Sequence, residues 1–119
     1  MNRYKLSKAG IDANEGIKRF NNKADVYEKF LMCFPEDMNF QRMCKAIEEG
    51  DVKEAFQCAH ALKGMAGNIS LTRLHNDLLP LVEELRSDSL EKADELLEPV
   101  RADYEEVIKV LTLQVLDRF

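Results

Sequence analysis

The chain of 119 residues lacks several features that would assign it to a function class at once. Its longest uncharged stretch, Gly64–Thr72, is far shorter than the roughly 20 residues that a membrane span needs. It has no tryptophan, no glycine-rich nucleotide loop, and no excess of positive charge that would favour nucleic-acid binding. Three cysteines without paired spacing or a secretory signal are typical of reduced thiols. We therefore expect a cytoplasmic protein with no membrane or nucleic-acid partner.

The net charge of −5 comes mostly from one segment of the chain. Residues 83–106 hold ten acidic and three basic side chains, whereas residues 51–82 are neutral. An acidic run of this kind is most simply a solvated helix face. A composition of 45% hydrophobic and 33% charged residues indicates a globular domain with a core. We predict one domain at residues 10–119, preceded by an N-terminal lead at residues 1–9.

Apolar residues recur at spacings of three and four along most of the chain, which is the period of amphipathic helices and not of strands. The pattern predicts a short helix at 11–20 and a second helix that ends before Pro35, because proline breaks the helical hydrogen-bond ladder. Three of the later predicted helices lie at about 36–49, 71–86 and 90–111.

Glycine, aspartate and proline mark the predicted ends and irregularities of these helices. Gly50 is expected to end one helix, and Asp51 to cap the next, with Glu54 completing an acidic capping box. Pro80 falls inside one helical pattern and is predicted to kink that helix, whereas Pro99 falls inside the last pattern and is predicted to split or bend it. Short turns between long amphipathic helices predict an all-α fold, an antiparallel (up-down) four-helix bundle with additional short N-terminal helices.

The helix after Asp51 carries the most distinctive cluster of residues. At about 100° per residue, Gly64 and Gly67 fall within about 40° of His60, so the surface beside the imidazole is bare. Each helical glycine costs roughly 0.5–1 kcal/mol against alanine, which suggests that a bulky group must reach the ring. Neutral imidazole is a competent nucleophile near pH 7. Lys63 has two open interpretations: it pairs with an anion attached to the ring, or it extends to solvent.

Residues His60-Ala61-Leu62-Lys63-Gly64, followed by Ala66-Gly67-Asn68-Ile69, resemble the His-x-Leu-Lys-Gly signature of histidine phosphotransfer (HPt) domains. The similarity extends over about residues 10–115. It implies a phosphorelay function, in which His60 accepts a phosphoryl group from a receiver-domain aspartate and passes it to another receiver. Lys63 would then face the phosphoryl oxygens, and Gly64 would leave clearance for the partner.

The resemblance also implies which partners and cofactors to expect. The partners are response-regulator receiver domains, a hybrid histidine kinase, or both, and the receivers bring the magnesium. The chain itself then needs no cofactor or metal and has no kinase activity. By helical geometry, the partner surface around His60 should contain Lys53, Gln57, Met65, Gly67 and Asn68, together with Phe20 from the N-terminal helices. We expect a monomer, because one bundle can bury its own apolar stripes.

Three residues depart from the usual pattern of that family. Met65 stands where a small residue is common, and Ser70 replaces a common glycine after the site helix. Val82 occupies a position on the following helix that often holds a polar residue near the phosphoryl group.

Two alternative functions remain open from the sequence. The first is a helical-bundle docking module that binds receivers without being phosphorylated, and it would tolerate a blocked or unreactive histidine ring. The second is a metal-binding bundle, which would need His60, His75 and carboxylates to converge on one point.

Overall fold

The structure, a computed structural model, describes residues 1–116, with side chains as far as residue 114. The described chain is helical and contains no strand, which confirms the predicted all-α fold. Its helices are α1 (Arg3–Lys8), α2 (Ala13–Arg19), α3 (Ala24–Cys33), α4 (Asn39–Glu49), α5 (Val52–Asn68), α6 (Thr72–Arg86) and α7 (Ala93–Leu116), with a 3₁₀ turn at Phe34–Glu36. The predicted domain end at residue 119 lies outside the described residues. Each helix within residues 1–116 is too short or too polar to span a lipid bilayer.

The helix that carries His60 begins where the sequence predicts. Gly50 adopts a left-handed conformation with φ of 76° after α4, a conformation that glycine takes without steric penalty. Asp51 then caps α5, because its Oδ1 accepts a hydrogen bond from the Glu54 backbone N–H at 3.1 Å. Within the described chain, the Asp51 N–H donates to the Ala46 carbonyl at 2.8 Å and not to Glu54, so the reciprocal half of the predicted capping box does not form. The Glu54 carboxylate instead accepts a hydrogen bond from the Cys58 thiol at 3.4 Å.

The structure differs from the predicted helices in three places. Residues 1–9 contain helix α1, in which Leu6 is fully buried, whereas the sequence suggested only a lead without periodicity. The predicted helix at 36–49 begins late, at Asn39, because the Asp37 carboxylate accepts a hydrogen bond from the Asn39 N–H at 3.0 Å. Helix α7 runs through Pro99 as one helix, so of the two effects predicted for Pro99 the split is wrong. A single buried leucine and a single side-chain hydrogen bond give too short a pattern to detect by periodicity.

Helices α4 to α7 form the bundle, each packed against the next along the chain. Short connections between consecutive helices make their directions alternate. The ring of Phe40 on α4 stacks on Tyr104 of α7 with centroids 3.9 Å apart, which joins the first and last helices of the bundle.

The short helices α2 and α3 are fixed beside the C-terminal end of α5. Tyr27 of α3 is fully buried, and its hydroxyl donates a hydrogen bond to the Ile69 carbonyl at 2.8 Å. Burial raises the pKa of the Tyr27 hydroxyl, so it stays a donor. Gly16 of α2 packs directly on the Tyr27 ring. These contacts place the aromatic residues of α2 and α3 next to the helix that carries His60.

Candidate functional site

His60 lies near the middle of α5 on its exposed side. The opposite side of the helix is held to the bundle by its buried residues, which are Ala55, Cys58, Ala59, Leu62 and Ala66. His60 therefore faces away from the buried residues of the helix, as the 3.6-residue period requires. No hydrogen bond joins its ring nitrogens to any residue of the described chain. Both nitrogens are thus open to solvent or to a partner.

One face of the site is an aromatic and cationic stack that joins α5 to α6. The Phe56 ring stacks against the His60 ring with centroids 5.7 Å apart and an interplanar angle of 29°. The Arg86 guanidinium lies 5.0 Å from the Phe56 centroid, and its Nε donates to Glu83 Oε1 at 3.3 Å. Phe56 is not among the site residues predicted from the sequence. Its position four residues before His60 was the available signal, because such side chains meet on a helix.

Gly64 and Gly67 differ in the space that a side chain would have beside them. Gly64 is exposed, and a Cβ built there would meet no described atom within 4 Å apart from its chain neighbours and the backbone of its own helix. A Cβ at Gly67 would lie 3.2 Å from Cδ2 of His75, which belongs to α6. The small size of Gly67 therefore has a reason inside the protein, namely the close approach of the His75 ring. The bare surface at Gly64 has no such reason among the described residues.

On the other side of α5, an open groove of about 740 Å³ separates this helix from α2 and α3. Four predicted site residues line it, namely Phe20, Gly64, Met65 and Asn68, together with Arg19, Phe30, Ala61 and Ile69. Phe30 is 55% exposed and packs on Phe20 with centroids 5.3 Å apart. Phe30 is not among the site residues predicted from the sequence, whereas the structure exposes it at the groove.

The other predicted site residues lie outside this groove. Lys53 and Gln57 are exposed on the N-terminal half of α5. Lys63 is half-buried and forms no ion pair within the described chain. Its ammonium group therefore has no anionic partner among the residues described.

Two of the departures from the family pattern have structural explanations. Val82 is fully buried in the bundle core, so an apolar side chain suits this position. Ser70 has φ of 58°, the left-handed conformation in which glycine is favoured. Its backbone carbonyl accepts a hydrogen bond from the Asp12 N–H at 2.9 Å, and its hydroxyl donates to Glu15 at 3.3 Å. These contacts to α2 stabilise a conformation that serine adopts at some cost.

The two histidines do not converge on one point. The His60 ring stacks on Phe56, whereas the His75 ring approaches Gly67 and lies 3.4 Å from the Asn76 side-chain oxygen. No group of three or more His, Cys, Asp or Glu residues within the described chain could hold a metal ion. Cys58, two residues before His60, is buried, and burial together with Glu54 raises the pKa of its thiol to about 11. The geometry therefore gives the metal-binding hypothesis no support.

A comparison with known protein families gives a match to most of the chain. The family described as "Hpt domain" matches residues 25–110, well over half of the chain, including all of α5 and α6. Searches of curated proteins and of solved structures found no match.

Proposed function

The chain belongs to the Hpt domain family, the histidine phosphotransfer modules of two-component systems, and on that basis we propose that His60 accepts a phosphoryl group from a receiver-domain aspartate and passes it to another receiver. The observation that carries the proposal is the exposed His60 ring beside Gly64, where a Cβ would meet no described atom. A partner's active site must come close enough to touch the imidazole. The bare surface at Gly64 gives it room to do so.

In the proposed step, a lone pair on a neutral ring nitrogen of His60 attacks the phosphorus of the aspartyl phosphate. The N–P bond forms as the P–O bond to the aspartate breaks, and the aspartate leaves as a carboxylate with the bonding electron pair. Attack and departure are in line, so the work of this protein is to position the nucleophile and stabilise charge. Transfer to a second receiver is the reverse reaction with a different carboxylate.

Lys63 is the proposed electrostatic partner of the phosphoryl oxygens. It lies one turn after His60 on α5, and its ammonium group forms no ion pair within the described chain. A lysine with a long stem and a free charge can reach an anionic group attached to the neighbouring side chain. This arrangement favours the electrostatic role of Lys63 over a solvent-exposed one.

The proposed receiver-binding surface is the groove beside His60. Its lining combines the rings of Phe20 and Phe30 with Gly64, Met65 and Asn68, which is a mixed surface that suits a transient protein partner. Gly67 adjoins this surface on α5. Lys53 and Gln57 extend it along α5 towards the N-terminal end of the helix.

We further propose a phosphocarrier with no kinase activity and no cofactor of its own, with magnesium held by the receiver partner. A monomer is expected, because the bundle buries its own apolar residues. A cytoplasmic location follows from the unpaired cysteines of the sequence.

The test is phosphoryl transfer from several phosphorylated receiver domains to the wild-type protein and to His60→Gln. His75→Gln is the matched control, since it removes the second histidine of the chain and leaves His60 in place. We expect acid-labile, alkali-stable label on the wild type and on His75→Gln, and none on His60→Gln. Equal labelling of His60→Gln would refute the assignment. A folded wild type that binds receivers but takes no label would favour the docking-module alternative.

A further inference from the structure

We propose that Phe56 is a positioning residue for His60: its ring holds the imidazole in the orientation in which a receiver can reach it. This inference rests on the proposed function of His60. It concerns a residue that the family signature does not contain, since Phe56 lies four residues before the signature histidine.

The first support is that, within the described chain, His60 forms no hydrogen bond, no ion pair and no ring contact other than the one with Phe56. The ring nitrogens of a functional histidine are commonly oriented by a hydrogen bond from one of them to a carboxylate or carbonyl. His60 has no such bond within the described chain. The stacked ring of Phe56, with centroids 5.7 Å apart and planes at 29°, is the contact that remains. It restricts the side-chain torsions of His60 without occupying either nitrogen.

The second support is that Phe56 is itself held in place from another helix. It is half-buried and packs against the bundle core. The guanidinium of Arg86 lies 5.0 Å from its centroid, and Arg86 is bonded to Glu83 one turn earlier on α6. Guanidinium groups are attracted to aromatic faces. The orientation of His60 on α5 is therefore linked, through one ring, to the C-terminal end of α6.

A purely structural role for Phe56, filling space between α5 and α6, makes a different prediction. Leucine would fill that space almost as well, whereas it has no flat face against which an imidazole can stack. Tyrosine keeps the ring. The pair Phe56→Leu and Phe56→Tyr therefore separates packing from stacking.

The first measurement is the rate of transfer from a phosphorylated receiver, taken as a function of receiver concentration. For Phe56→Leu we expect the maximal rate to fall about threefold to tenfold, the effect of losing one aromatic pair. The half-saturating receiver concentration should stay unchanged, because Phe56 does not line the groove. Phe56→Tyr should transfer at the wild-type rate.

The second measurement is the NMR spectrum of His60 in the same proteins without a receiver. In the wild type and in Phe56→Tyr, the His60 ring protons should be shifted by the aromatic ring current, and the Hα–Hβ couplings should indicate one rotamer. In Phe56→Leu the ring-current shift should vanish and the couplings should average.

Three outcomes would overturn the inference: wild-type rates and couplings in Phe56→Leu, equal loss of rate in the leucine and tyrosine variants, or averaged couplings in the wild type. A wild type that takes no label would instead refute the proposed function. The NMR couplings would then still decide whether Phe56 orients the ring.

Discussion

Gly16 and Gly64 both lie inside helices, yet they belong to opposite kinds of surroundings. A Cβ added to Gly16 would overlap the ring of Tyr27, which is fully buried and hydrogen-bonded to the Ile69 carbonyl. A Cβ added to Gly64 would meet no described atom within 4 Å. The first glycine is thus explained by packing within the chain. The second has no such explanation in the described structure, and a partner outside the chain provides one.

Helical glycines that are needed for folding can be told from those needed for function by whether a Cβ would clash inside the chain. Glycine in a helix costs roughly 0.5–1 kcal/mol whatever its purpose, so each instance needs a compensating reason. Where the glycine is required by packing inside the protein, its substitution should lower the free energy of unfolding. Where it is required by a partner, its substitution should lower the rate of phosphoryl transfer and leave the free energy of unfolding equal or greater. The following variants test this separation, beginning with the largest expected effect.

Gly16→Ala should destabilise the protein by about 3 kcal/mol, because its new methyl group displaces a buried ring in a close-packed region. Urea denaturation followed by circular dichroism measures the change. Gly64→Ala is the matched control, the same substitution in an open position, and it should gain roughly 0.5–1 kcal/mol. If Gly16→Ala proved as stable as Gly64→Ala, the internal explanation for Gly16 would be wrong.

Gly64→Leu should lower the rate of phosphoryl transfer about thirtyfold, which corresponds to about 2 kcal/mol at the transition state. A branched side chain at this position would occupy the space through which a partner approaches His60. The urea midpoint should not fall, because the new side chain points into open space. Transfer at the wild-type rate would show that the bare surface at Gly64 has no role in docking.

The fold was largely predictable from the sequence, and the site only in part. Gly50 and Asp51 mark the start of α5 through local chemistry, and the position of His60 follows from the helical period. Phe30, however, has the spacing of a core residue and is exposed beside Phe20. Its environment depends on how α3 packs against α5, which is a tertiary property. The contact between the Arg86 guanidinium and the Phe56 ring could not be predicted from the sequence for the same reason, because it joins two helices.

Asp103, like Gly16, is explained by contacts inside the protein, although its side chain is ionisable. It lies on α7, only 9% exposed, and its Oδ2 finds no hydrogen-bond donor in the described chain. The pKa of Asp103 is raised from 3.8 to about 7, and burial is the main cause. The hydrogen bond with Asp77 and the negative charge of Asp77 raise it further, whereas the positive charge of Arg73 lowers it. A proton on Asp103 can bond the Asp77 carboxylate, which explains why the proton is retained in the folded state.

A carboxyl whose pKa is raised on folding stabilises the protein at low pH and loses that stabilisation as the pH rises. The wild type should therefore lose stability between about pH 4 and pH 7 through this group. Asp103→Asn cannot ionise, so it should be more stable than the wild type at pH 8 by on the order of 1–2 kcal/mol and similar to it at pH 4.5. Urea denaturation at both pH values measures the difference. Asp94→Asn is an exposed change on the same helix and should keep the pH dependence of the wild type. If the stability of Asp103→Asn changed with pH in parallel with that of the wild type, the raised pKa of Asp103 would be wrong.

Gly67→Ala should have the smallest effect, because the space around this glycine is intermediate between the tight packing at Gly16 and the open surface at Gly64. Its new Cβ would lie 3.2 Å from Cδ2 of His75, so the half-buried ring must move by a few tenths of an ångström. That strain opposes the helix-forming gain of alanine, and we expect a net change within about 0.5 kcal/mol, measured by urea denaturation. His75→Ala combined with Gly67→Ala removes the strained contact, so the alanine at position 67 should then stabilise the protein. If the two substitutions were additive instead, the His75 ring would not be the reason for this glycine, and Gly67 would join Gly64 among the residues explained by a partner.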